Sequence, residues 1–86
     1  MIEVKDKYYK IGKVKFDNSQ DVSNFVNFIS KYTENYYLLS GRYIINAKSI
    51  MGIYSLDLSK PIHLVSIKEN NEEFIRDFEQ QNFKKE

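Results

Sequence analysis

The sequence predicts an α+β fold, an antiparallel sheet covered on one face by helices. Three observations carry it. Period-two segments alternate with period-3.6 segments in the order strand, helix, strand, strand, helix, strand, helix. A hairpin signal joins the second and third strands, and the whole succession fits within 86 residues, which favours an antiparallel sheet with its helices on one side.

The first strand is read from Tyr8 to Phe16, where Val14 and Phe16 share one face and Lys13 and Lys15 the other. The lysines are expected to form a solvated face rather than a phosphate-binding patch. Asp17-Asn18-Ser19 then supplies three residues able to cap a helix. Val22, Phe25, Val26 and Ile29 follow at i, i+3, i+4 and i+7, one buried helical stripe, and this helix is expected to run to about Tyr32. Tyr36 to Leu39 and Arg42 to Ile45 are short strand-like runs. Ser40-Gly41 lies between them, with Gly41 free to take the positive φ of a tight turn. Ser49 caps about two turns of helix reaching Leu56. Pro61 marks the entry to a strand over Ile62 to Ile67, in which Ile62 and Leu64 alternate with His63 and Val65. Finally Asn70 or Asn71 can cap a helix whose Glu72 and Glu73 lie at the positive end of the dipole, with Phe74, Ile75 and Phe78 on its buried face.

Composition bounds the chemistry. Residues 1–86 read as one domain, since a chain of this length buries only about 60 to 65% of its extended surface and has no room for a second core. Thirteen aromatic residues, seven Tyr and six Phe, must carry much of the burial. The 13 basic and 12 acidic residues leave a charge of +1, too weak a field to point to nucleic acid. The longest apolar runs are too short to span a bilayer. The first seven residues interleave charges where a secretory signal would be apolar, so a cytoplasmic location is expected. With one His, no Cys and no glycine-rich loop, the sequence offers no zinc site, thiolate nucleophile or phosphate loop, and no metal, cofactor or self-contained enzymatic activity is expected.

Asn46-Ala47-Lys48-Ser49-Ile50-Met51-Gly52-Ile53-Tyr54-Ser55-Leu56 resembles the HPr family, the small phosphocarrier proteins of the bacterial sugar phosphotransferase system. Lys-Ser-Ile-Met-Gly followed by Ser-Leu is that family's signature for a regulatory serine and a short second helix. Ser30-Lys31-Tyr32 and the apolar strand after Pro61 are also similar, so the likeness extends from about Val14 to Phe83. It implies an open-faced β-sandwich, with four antiparallel strands in spatial order 1-4-2-3 and three helices on one side.

The family's second motif is missing. HPr proteins carry a phosphorylatable His, then any residue, then Arg and Pro, at the start of the first helix, where the helix terminus and the guanidinium stabilise the phosphoryl charge. Counting back from Ser49 without gaps puts Asn18 at the His position, Gln20 at the Arg and Asp21 at the Pro. Aligning Val14 and Phe16 to the family's first strand instead shortens the loop by about three residues and removes the His position altogether. Either way the acceptor is gone, since an amide forms no phosphoramidate and Asp21 repels a phosphate. His63 has no Arg beside it and reads as an ordinary surface or edge histidine.

Ser49 has two compatible roles, helix cap and, by resemblance, the residue phosphorylated by a dedicated HPr kinase. A helix N-terminus tolerates the charge of about −1.5 to −2 that phosphorylation adds. Ile50, Met51 and Tyr54 are expected to form a partly exposed patch, the surface on which the family docks its partners. The chain is accordingly expected to be a non-catalytic, protein-binding or regulatory module of the phosphoenolpyruvate-dependent sugar phosphotransferase system and carbon catabolite control. The resemblance offers a precedent in the catabolite-repression paralogue of HPr, which lacks the histidine and keeps the serine. The expected partners are proteins, such as HPr kinase or a transcriptional regulator of sugar metabolism, with the chain a monomer or weak dimer. Two alternatives remain open: a phosphotransfer component with an unrecognised acceptor, or an HPr scaffold recruited to an unrelated partner.

Overall fold

In the computed structural model, residues 8–68 and 71–81 are described; Asn70, one of the two candidate caps, and Phe83, the far end of the resembling stretch, lie outside them. Seven elements follow one another: β1 (Tyr9–Val14), α1 (Ser19–Ile29), β2 (Tyr36–Ser40), β3 (Tyr43–Asn46), α2 (Ile50–Tyr54), β4 (Ile62–Ser66) and α3 (Glu72–Phe78). The strands form one antiparallel sheet in spatial order β1-β4-β2-β3.

Register sorts the side chains into two faces. Leu38 opposes Leu64 on β4 and Ile45 on β3, and Val14 opposes Ile62. These residues face the helices, which contribute Val22, Phe25, Phe28, Ile29, Ile53, Phe74 and Phe78 to the same core. All three helices therefore lie on one side. Aromatic rings fill much of the space between: Phe16 meets Phe25 edge-on at 5.4 Å, and Phe74 stacks on Tyr36 at 4.1 Å. The other face carries Lys13, His63, Leu39 and Ile44 in one cross-strand row and Lys10, Val65, Tyr37 and Asn46 in the next. Val65 is fully buried there, between Lys10 and Tyr37.

Several local expectations change. Helix α1 ends at Ile29, three residues short of Tyr32, because the amides of Lys31 and Tyr32 turn to the i−3 carbonyls of Phe28 and Ile29. Its buried stripe takes Phe28, and Val26 is only half-buried. Ser40 belongs to β2 and pairs with Tyr43, so the hairpin turn is Gly41-Arg42 and not Ser40-Gly41. Gly41, at φ +60°, is the first central residue of that turn, the position where a type II′ geometry calls for glycine. Strand β4 stops at Ser66, whose Oγ accepts the Lys68 amide at 2.9 Å, and Ile67 is exposed. Asn71 occupies the N-cap position of α3 but does not cap it; its Nδ2 donates to the Lys68 carbonyl at 2.5 Å.

In β1 the pairing with β4 shifts between Lys10 and Gly12, which makes Ile11 the extra residue of a bulge. The bulge sets Gly12 under Phe78: a Cβ at Gly12 would lie 2.9 Å from Cε2 of that fully buried ring.

Candidate functional site

Two helix N-termini are the places where the sequence concentrates its candidate residues. The link from β1 to α1 is short, residues 15–18, and its path is fixed by burial of Phe16. Asn18 is extended, at φ −157° and ψ 176°, and its Oδ1 accepts the Asp21 amide at 2.9 Å. The Asp21 carboxylate reaches back to accept the Asp17 amide at 2.8 Å. This reciprocal arrangement resembles a capping box displaced by one residue. Gln20 donates to Asn24 Oδ1 at 3.0 Å on the exposed side. The structure thus brings Asn18, Gln20 and Asp21 into the first turn of α1. There the amides of Asp17 and Asp21 bind the chain's own oxygens, one of them anionic.

At α2, Ser49 is extended and its Oγ accepts the Gly52 amide at 3.0 Å. The cap folds tightly over Gly52, where a Cβ would meet Ser49 Oγ at 3.0 Å and Ile45 Cδ1 at 3.3 Å. Only Ile53 of this helix is buried. Ile50, Met51 and Tyr54 are 41%, 80% and 47% exposed, so the i, i+1, i+4 set lies outward beside Ser49.

Sequence reasoning passed over the residue that ties this corner to the rest of the molecule. The Lys48 ammonium donates to the Tyr32 carbonyl at 2.6 Å, and its backbone amide donates to Asn46 Oδ1 at 2.8 Å. The Tyr32 hydroxyl in turn donates to the Asp77 carboxylate on α3. Burial, then the hydrogen bond and charge of Asp77, push the Tyr32 phenol up to about 12. Contacts between positions 16 and 45 apart leave no periodic trace in a sequence; the only signal was a Lys and a Tyr within the resembling segments.

His63 corrects another expectation. Strand β4 lies between β1 and β2, so His63 is half-buried on an inner strand and not at an edge. Burial, reinforced by Lys10 and Lys13, lowers its pKa and favours the neutral ring. It lies in the row of Lys13 and Leu39 on the uncovered face, opposite the helices whose N-termini hold the other candidates. Among the described residues no group of His, Cys, Asp and Glu is arranged to hold a metal ion, and no helix is long and apolar enough to cross a membrane.

No family model matches the sequence, and no curated protein matches it. Solved structures do. The crystal structure of HPr-C-His from Thermoanaerobacter tengcongensis superposes with a TM-score of 0.59 at 27% identity, covering 81% of this chain and 80% of that one. The phosphocarrier protein HPr from Bacillus anthracis str. Ames superposes with a TM-score of 0.60 at 20% identity, covering 83% and 88%. The strand order, the three helices on one face and these two phosphocarrier neighbours together show that the chain has an HPr-like fold.

Proposed function

We propose that this chain is an HPr-like protein that has given up phosphoryl carriage and acts as a protein-binding, regulatory module of sugar uptake or carbon catabolite control, switched by phosphorylation of Ser49. As a single domain over residues 1–86 it would work in the cytoplasm through partner proteins, an HPr kinase and a transcriptional regulator of sugar metabolism being the expected ones. One observation carries the reading: Ser49 is flanked by an outward apolar set, Ile50, Met51 and Tyr54, on a helix that buries only Ile53. Exposed apolar clusters on small domains mark contact surfaces, and Met adapts to varied partners.

Loss of carriage is supported by the first turn of α1. Asn18 has no ring nitrogen to accept a phosphoryl group, Gln20 has no positive charge, and the Asp21 carboxylate lies where a bound phosphate would be repelled. The test is treatment with an HPr kinase and ATP. The reading predicts a mass gain of about 80 Da at Ser49, absent in Ser49→Ala, and a change in affinity for a catabolite regulator that Met51→Asp abolishes. An unmodified Ser49 under conditions that modify an HPr control would leave the scaffold to an unrelated partner.

A further inference from the structure

The sheet has two edges, and they are built differently. β1 carries a bulge at Ile11 and the charges of Lys10 and Lys13, devices that keep an edge strand from pairing with another chain. β3, Tyr-Ile-Ile-Asn, is uncharged, with no proline and no bulge in its pairing with β2; its protection is its four-residue length and Arg42 just before it.

The hydrogen-bond phase of β3 is fixed by its neighbour. Ala47 donates to the Tyr36 carbonyl at 2.9 Å. In an antiparallel ladder Tyr43, Ile45 and Ala47 therefore point their backbone groups at β2, and Ile44 and Asn46 point theirs away from the sheet, where the Asn46 carbonyl already accepts the Ser49 amide at 3.0 Å and leaves Ile44 and the Asn46 amide as the outward groups. We propose that this outward edge pairs with β3 of a second copy of the chain, antiparallel about a two-fold axis at Ile44.

The sequence of β3 is self-complementary in that register. Ile44 faces Ile44 of the second copy and exchanges both backbone hydrogen bonds with it. Arg42 comes opposite Asn46 of the second copy. On the helix-covered face Tyr43 falls beside Ile45 of the second copy in a non-hydrogen-bonded pair, the closer of the two pair types. Tyr43 is 66% exposed and Ile45 half-buried, so each supplies what the other leaves uncovered. Around the hairpin lies a groove of about 810 Å³ in which Tyr43, Ile45 and Leu56 adjoin the charged Arg42, Asp57 and Lys60. Two sheets become one of eight strands, with both helical layers on the same side. A four-residue edge buries far less than a permanent dimer does, so the association is weak, with a dissociation constant on the order of 0.1 to 1 mM.

Sedimentation equilibrium of the full chain from low micromolar to millimolar concentration tests this, with heteronuclear NMR over the same range. A concentration-dependent dimer is expected, with amide shifts concentrated at Ile44 and Asn46 and absent along β1. Ile44→Lys places like charges directly opposite and is expected to weaken the dimer about tenfold or more. Ile44→Glu alone does the same, and an equimolar mixture of the two restores association. A chain monomeric at 1 mM, shifts centred on another surface, or no gain on mixing would overturn the proposal. An edge that instead bound added extended peptides while the chain stayed monomeric would also overturn it. The NMR series on the unmodified chain decides the matter should either variant fail to fold.

Discussion

The carboxylate of Asp21 accepts the backbone amide of Asp17 at 2.8 Å across the first turn of α1. With Asn18 capping the same turn, two side chains of the protein accept amides at the start of the helix. Replacing Asp21 by Ala is expected to lower stability by about 0.5 to 1 kcal/mol, in the range of a lost cap and an unfavourable dipole change. Urea unfolding followed by circular dichroism measures it, and Gln20→Ala, on the exposed side, is the neutral control.

Ser49 has a structural role whether or not it is modified. Ser49→Ala removes the acceptor of the Gly52 amide and should cost about 1 kcal/mol. Gly52→Ala should fall short of the gain of about 0.5 to 1 kcal/mol that Gly→Ala brings inside a helix, since its Cβ would meet Ser49 Oγ at 3.0 Å and Ile45 Cδ1 at 3.3 Å. The double variant should be less than additive, because Ser49→Ala removes one of the atoms that the new methyl group meets.

Tyr32 makes stability depend on alkaline pH. Its phenol is raised to about 12 in the folded chain against an ordinary 10.0, so folding favours the protonated form. The resulting stabilisation is complete below pH 10 and lost as pH rises toward 12. Tyr32→Phe removes the hydrogen bond to Asp77 and this component of the pH dependence. Its urea midpoint should lie below that of the unmodified chain at pH 8, and the gap should narrow at pH 11.

Gly12 is required for space. A methyl group there meets the ring of Phe78 at 2.9 Å, and that ring is enclosed and cannot swing aside. Gly12→Ala should destabilise by about 1 to 3 kcal/mol, as overpacked cores do. Thermal unfolding measures the loss, and Gly12→Ala with Phe78→Leu should recover part of it.

Much of the architecture was legible because it rests on local periodicity. Val22, Phe25 and Ile29 marked the inner face of α1, and Ile62 and Leu64 that of β4, through spacing alone. The strand order came through the resemblance around Ser49, which periodicity does not encode. What escaped depends on three-dimensional closure. The end of α1 is set by a tightening at Lys31 and Tyr32 that no stop residue announces. Asn71 looks like a cap in sequence, yet its side-chain amide donates to the Lys68 carbonyl three residues back, a choice of partner that spacing does not reveal. The placement of His63 on an inner strand follows from β4 inserting between β1 and β2, a fact of topology. At the candidate site the residue types were visible, but the occupation of the α1 amides by Asn18 and Asp21 was not, since it depends on how a four-residue link enters the helix.

Our proposal is that this chain, with its HPr-like fold, does not carry phosphate. It is tested most directly by incubating the purified protein with Enzyme I and radiolabelled phosphoenolpyruvate beside an HPr control. Label is expected on the control and none on this chain. Stable, acid-labile label on this chain, on His63 or any other residue, would contradict it.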